Sequence, residues 1–257
     1  MIPTPIRQVL STIQKHQVQA LLMGGQACVF YGAAQFSKDI DFLILAEREN
    51  FDGLHRALED LQARRIAVPP FSPEVLARGH AVHFRCSVAG VEGLRVDVMV
   101  KLRDFDGFHE LWERRTTISE EQGGQIHLLS IPDLVKAKKT QRSRDWPVIE
   151  ALVEAHYEAM HENSNRECLE FWFLESRSPD RLVDLCARYP EEAAVFAVRR
   201  PLLALASRGD FSELGKELDS EKRLEQEKDR IYWEPLKREM EEFRRAEREA
   251  AWDGGAA

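Results

Sequence analysis

The chain reads as an α+β protein: a small mixed β-sheet flanked by helices, continued by a helical C-terminal region. Three observations predict this. Short apolar runs bounded by Gly and Pro alternate with helical spacings over the first part of the chain. Strand patterns vanish from about Glu158 onward. Densely charged helical patterns then continue to the end. The break divides the chain into regions 1–157 and 158–257.

Residues 5–17 place Ile6, Val9, Leu10 and Ile13 at helical spacing. Val18 to Met23 is a short apolar strand ended by Gly24-Gly25, and Gln26 to Tyr31 is a buried helix that starts on this turn and closes at Gly32. A strand follows with the sequence Asp39-Ile40-Asp41-Phe42-Leu43-Ile44. Glu49 to Arg64 returns to helical spacing through Phe51, Leu54, Leu58 and Leu61, and Pro69, Pro70 and Pro73 mark a loop. Residues 81–86 and 94–100 form two strands around a turn with Gly90 and Gly93, the pattern of a hairpin. Phe105 to Arg115 suits a short helix, and Gly123-Gly124 leads into a strand at Ile126–Leu129. Ser130-Ile131-Pro132-Asp133 is a helix start, with Ser130 as cap, and this helix should run at least through Lys139 and Arg142 before Pro147 kinks or restarts it. Beyond it, 169–174, 182–186 and 193–205 read as three apolar helices, 214–252 as a charged helix with an apolar patch at Ile231-Tyr232-Trp233, and 253–257 as a disordered end.

Composition narrows the function. Apolar residues make up 44% and charged residues 31%, which suits a packed core in water. No stretch of about eighteen apolar residues exists, so no membrane span and no membrane partner is expected. The start, Met1-Ile2-Pro3-Thr4-Pro5, lacks the basic and apolar segments of a secretory signal. Cys28, Cys86, Cys168 and Cys186 are scattered and read as reduced, mostly buried thiols of a cytoplasmic protein. The net charge of −8 argues against coating nucleic acid through bulk phosphate contacts, while leaving room for a local basic pocket.

The chemistry concentrates on the second strand. Alternation puts Asp39 and Asp41 on one face, with Ile40 and Phe42 on the other. Two carboxylates side by side repel unless a cation lies between them, and a hard divalent ion with oxygen ligands is the simplest such cation. Asp97, among apolar neighbours in the 94–100 strand, is a third acid, with Arg95 on its face. If the two strands are neighbours, the acids converge on a space suited to magnesium. Gly24-Gly25 lets a triphosphate approach backbone N–H groups. Lys138 and Arg142, spaced to share a helix face with Asp145, form a second candidate group, joined by Ser37 and Lys38 on the phosphate side. His80, His83, His109 and His127 lack ligand spacing and read as structural.

Gly24-Gly25, thirteen residues, Asp39-Ile40-Asp41-Phe42, and then Val96-Asp97-Val98 together resemble the DNA polymerase β-like nucleotidyltransferase superfamily. The Gly-Gly-Gln-Ala and Ser-Lys-Asp-Ile-Asp stretches look most like the AbiEii-type bacterial enzymes, many of them toxins of toxin–antitoxin pairs. The match covers roughly residues 5–150. It implies transfer of an NMP from an NTP such as ATP to a hydroxyl acceptor, with Mg2+ on Asp39, Asp41 and Asp97. Gly24 and Gly25 would hold the triphosphate, and Asp97 would help activate the acceptor. Lys138, on the downstream helix, would approach the nucleotide, with Arg142 as the second choice. Many members carry Ser after the first Gly, where this chain has Gly25. The acceptor stays open between a tRNA end, a protein and a small molecule, and an antitoxin-like partner is implied. The alternative is a catalytically inactive binding or regulatory protein of the same fold.

Overall fold

The computed structural model describes residues 4–119 and 124–254. They form two compact units: one takes the chain up to Val29, Phe36–Ser130 and the residues from Tyr232 onward, and the other takes Phe30–Gln35 and Ile131–Ile231.

The first unit carries α1 (Thr4–Lys15), β1 (Ala20–Met23), α2 (Gly24–Phe30), β2 (Asp39–Ile44), α3 (Arg48–Asp60), β3 (Arg64–Arg65), α4 (Pro73–Ala77), β4 (Val82–Arg85), β5 (Arg95–Met99), α5 (Phe108–Glu113), β6 (Thr116–Ser119) and β7 (Gln125–Leu128). The strands form one mixed, seven-stranded sheet in the order β3-β4-β5-β2-β1-β7-β6. Its middle strand, β2, runs antiparallel to β1 and parallel to β5, and β4 and β5 form the expected hairpin.

One face of the sheet is dry: Leu22, Ile40, Phe42, Phe84, Val96 and Val98 are each at most 4% exposed. The stripes of α1 (Ile6, Val9, Leu10, Ile13) and α3 (Phe51, Leu54, Ala57, Leu58) are buried too. Helical spacing lines these side chains up on one side of each helix, where burial of each Val, Leu, Ile or Phe contributes about 1.5–3 kcal/mol. Gly32, with φ +75°, follows α2 as the expected C-terminal turn.

The sheet is larger than the small one expected, because β3 and β6 add both edges. Arg64 and Arg65 are exposed, and Thr116–Ser119 alternates between half-buried and exposed. Short polar edge strands of this kind resist further pairing and carry no apolar run for periodicity to detect.

The second unit is helical: α6 (Ile131–Lys138), α7 (Trp146–Met160), α8 (Arg166–Glu175), α9 (Pro179–Arg188), α10 (Pro190–Ala197), α11 (Leu203–Ala206) and the part of α12 (Phe211–Gly254) through Ile231. Trp172 and Phe173 are fully buried, with Leu182, Leu185 and Leu203. The side chains of Asn165 and Ser178 cap α8 and α9 by accepting from the backbone N–H groups of Cys168 and Arg181.

Several boundaries differ from expectation: the helix expected over 49–64 ends at Asp60 and leaves Arg64 in β3, and α5 begins at Phe108 instead of Phe105. α6 stops at Lys138 instead of continuing through Arg142, because Asp145 draws in the Thr140 hydroxyl (2.6 Å) and the Arg142 guanidinium (2.9 Å) and the chain turns there. The expected helix over 193–205 is split into α10 and α11, with Pro201 between them. α12 includes Asp253 and Gly254, while 255–257 lie outside the described residues, as does Gly123. Pro147 restarts the chain as α7, within its first turn. Among the described residues, no helix is long and apolar enough to cross a membrane.

Phe42 is 2% exposed and Phe36 is 72% exposed. Chemical denaturation should show that Phe42→Ala loses about 3–5 kcal/mol, while Phe36→Ala stays within about 0.5 kcal/mol. A Phe42→Ala loss below about 1 kcal/mol would contradict the dry face described above.

Candidate functional site

Opposite the dry face, strand register assembles a charged one. β2 and β5 pair with Asp39 beside Arg95 and Asp41 beside Asp97. Residues directly opposite on paired strands point to the same side, about 4.8 Å apart in the hydrogen-bonding direction. The three acids foreseen from sequence therefore meet, with Arg95 among them. β4 sets His83 beside Asp97 and Arg85 beside Arg95, and β1 sets Met23 beside Asp41.

Asp97 is the buried member, at 6% exposure, while Asp39 and Asp41 are half-buried. Arg95 grips Asp97 with a two-pronged pair of bonds, Nε to Oδ1 at 2.7 Å and Nη2 to Oδ2 at 2.5 Å. His83 Nδ1 lies 2.8 Å from the same Oδ1. A contact that short to a carboxylate places a proton on Nδ1, so this nitrogen cannot also accept from Arg95 Nη2, 3.4 Å away. Burial pushes the Asp97 carboxyl upward, but the bonds from His83 and Arg95 outweigh it and hold the carboxyl below its ordinary value. The Arg95 guanidinium is pushed up in turn, first by its bonds to Asp97 and then by the charges of Asp39 and Asp41.

Gly24 explains why this turn carries no side chain. Its φ is +67°, and a Cβ there would stand 1.9 Å from Oδ2 of Asp41 and 2.8 Å from its Cβ. The backbone of the turn thus lies directly against one of the acids. At Gly25 a Cβ would meet the Ser37 side chain, its hydroxyl at 2.6 Å and its Cβ at 3.1 Å. That hydroxyl donates to the Asp39 carbonyl (3.0 Å) and ties the loop to the start of β2. Lys38 is exposed.

Lys138 and Arg142 belong to the second unit, where both converge on buried Asp145. Lys138 Nζ lies 3.8 Å from Oδ1, and Arg142 Nη2 lies 2.8 Å from Oδ2. Their association rests on this acid and not on a shared helix stripe, since α6 ends at Lys138.

His83 was missed by sequence reasoning. Counting outward from the hairpin turn at Gly90 would have placed it beside Asp97. The register of the hairpin, and not ligand spacing around His83, is the signal that identifies it.

The three carboxylates offer oxygen donors only, which suits magnesium and not a soft metal. Among the described residues no three acidic, imidazole or thiol groups already stand as a ligand set, in keeping with Asp97 being turned to Arg95 and His83. A groove of about 490 Å³ walled by His55, Leu58, Phe71 and Phe84 is no part of this patch, since Phe84 alternates with His83 and points to the other side of the sheet.

No protein-family model matches this chain, and none of the curated proteins compared with it matches either.

Gly24→Ala forces an L-residue into the left-handed region and displaces the whole Asp41 side chain, so it should cost about 1–3 kcal/mol by urea denaturation. Gly25→Ala has to shift only the Ser37 side chain, with no left-handed backbone to strain, and should cost less. A larger loss at Gly25 than at Gly24 would overturn this description of the turn.

Proposed function

We propose that this protein is a magnesium-dependent nucleotidyltransferase with the nucleotidyltransferase fold, moving an NMP from an NTP to a hydroxyl acceptor. The observation that carries the reading is the register of β2 with β5, which sets Asp41 beside Asp97 and Asp39 on the same face, with the Gly24 backbone against Asp41. Acidic clusters beside a side-chain-free turn suit a reaction whose catalysis is positioning and charge neutralisation.

Asp39, Asp41 and Asp97 would hold Mg2+, which supplies charge neutralisation on the phosphates. Gly24 and Gly25 leave room for the triphosphate to reach backbone N–H groups. Asp97 receives the proton of the acceptor hydroxyl as its oxygen bonds to the α-phosphorus. The α–β phosphate bond breaks in line, and pyrophosphate leaves. Ser37 keeps the loop before β2 in place by its bond to the Asp39 carbonyl, and Lys38 stands exposed where it can meet phosphate. The acceptor is an RNA end, a protein or a small molecule, and a toxin role with an antitoxin-like partner in the cytoplasm fits the family resemblance.

A second reading, a binding or regulatory protein that has kept the fold without turnover, is favoured by one observation: both oxygens of Asp97 are engaged by Arg95. Calorimetry separates the two, since the enzyme should bind an NTP only with magnesium, and the regulatory protein should bind no NTP.

Incubation with each of the four labelled NTPs, magnesium and a cell extract should label one fraction among RNA, protein and small molecules. Asp39→Ala and Asp41→Ala should each lower that label by at least about a hundredfold. Label in no fraction, or full labelling by Asp39→Ala, would overturn the enzymatic reading.

A further inference from the structure

The pair between Arg95 and Asp97 is unequal. The Asp97 side chain is 8% exposed and the Arg95 side chain 37% exposed. A buried carboxylate cannot be left without compensation, because desolvation penalises its charge and the surroundings offer no water to replace the lost bonds. The guanidinium can leave, because much of it already faces solvent. Exchange of Arg95 for another cation is therefore the inexpensive way to free Asp97 for chemistry. His83, bonded to Oδ1 at 2.8 Å, keeps the carboxylate oriented meanwhile.

The surroundings of Arg95 fit such an exchange. It stands beside Asp39 on β2 and beside Arg85 on β4. Like charges directly opposite across strands repel, so Arg85 makes the seat on Asp97 less secure, while Asp39 keeps the freed guanidinium at the site. An arginine fork released from a carboxylate is shaped to take up phosphate oxygens.

We propose that Arg95 is a resident counter-ion that holds Asp97 until a divalent cation takes its place, and then transfers its bonds to the phosphates of the nucleotide. This rests on the reading of the acids as a metal site. Metal alone and Arg95 thus compete for Asp97, whereas metal with nucleotide recruits Arg95. Arg95 is in this sense a positioning residue toward metal and a binding residue toward phosphate.

The two roles move in opposite directions when the charge is removed. Isothermal titration of Arg95→Gln with Mn2+ alone should show binding roughly five- to a hundredfold tighter than in the unaltered protein. The same variant, titrated with a non-hydrolysable NTP in the presence of Mn2+, should bind it more weakly by a factor in that range. Arg95→Lys, which keeps the charge and loses the fork, should fall between the two on both axes. A merely structural pair would instead weaken both bindings together, and that result, or unchanged Mn2+ affinity, would overturn the proposal. Because Arg95→Gln leaves a buried acid without its partner, the unaltered 15N-labelled protein gives a measure independent of that variant's folding. Mg2+ should shift the Arg95 Nε–H resonance away from its carboxylate-bonded position, and an unmoved resonance at saturating Mg2+ would overturn the exchange. If no divalent ion binds to any form, and Asp39→Asn changes no titration, the metal site itself falls along with the proposal.

Discussion

The pairing of β2 with β5 is the constraint on which the rest of the first unit depends. It aligns Asp41 with Asp97 on one face and, through the same hydrogen bonds, Ile40 with Val96 and Phe42 with Val98 on the other. A slip of one residue would carry Asp97 into the dry layer and bring Val96 or Val98 out among the acids. The apolar side chains therefore do more than fill the interior: their burial penalises every register except the one that gathers the carboxylates. Core and site are the two faces of a single alignment.

Electrostatics then sorts the acids into roles. Asp97, enclosed and gripped on both oxygens, is the member whose charge the fold itself must balance. Asp39 and Asp41 lie nearer the surface, where water screens them. The Gly24 turn adds a steric condition, since the carboxylate of Asp41 occupies the space that any side chain at position 24 would need. The acidic strand and the turn are thus fitted to each other, although sixteen residues of chain lie between Gly24 and Asp41.

Much of this was legible in the sequence where periodicity carried it. The stripes of α1 and α3, the hairpin of β4 and β5, and the shared face of Asp39 and Asp41 all follow from spacing alone. What spacing could not supply was pairing across long separations. Nothing local joins Thr116–Ser119 or Arg64–Arg65 to a sheet, because neither carries an apolar run. The end of α6 was misjudged for a related reason: Lys138, Arg142 and Asp145 do belong together, but an ion-paired turn reproduces the grouping that a helix face would have made. Arg95 was legible as a neighbour of Asp97, while its two-pronged grip, and the share His83 takes in it, needed the register of three strands at once.

The parallel pairing of β2 and β5 also has a meaning in time. Asp41 and Asp97 stand fifty-six positions apart, and everything from α3 through β4 is made between them. Parallel neighbours require a long crossover, and closing it is slow compared with forming a helix or hairpin. A ribosome elongating at about 5–20 residues per second would spend several seconds between the two acids. During that interval the Gly-Gly turn and Asp39-Ile40-Asp41 are already synthesised, yet the third carboxylate and its arginine do not exist. The three acids therefore cannot stand together until β5 has been made and has found its place beside β2.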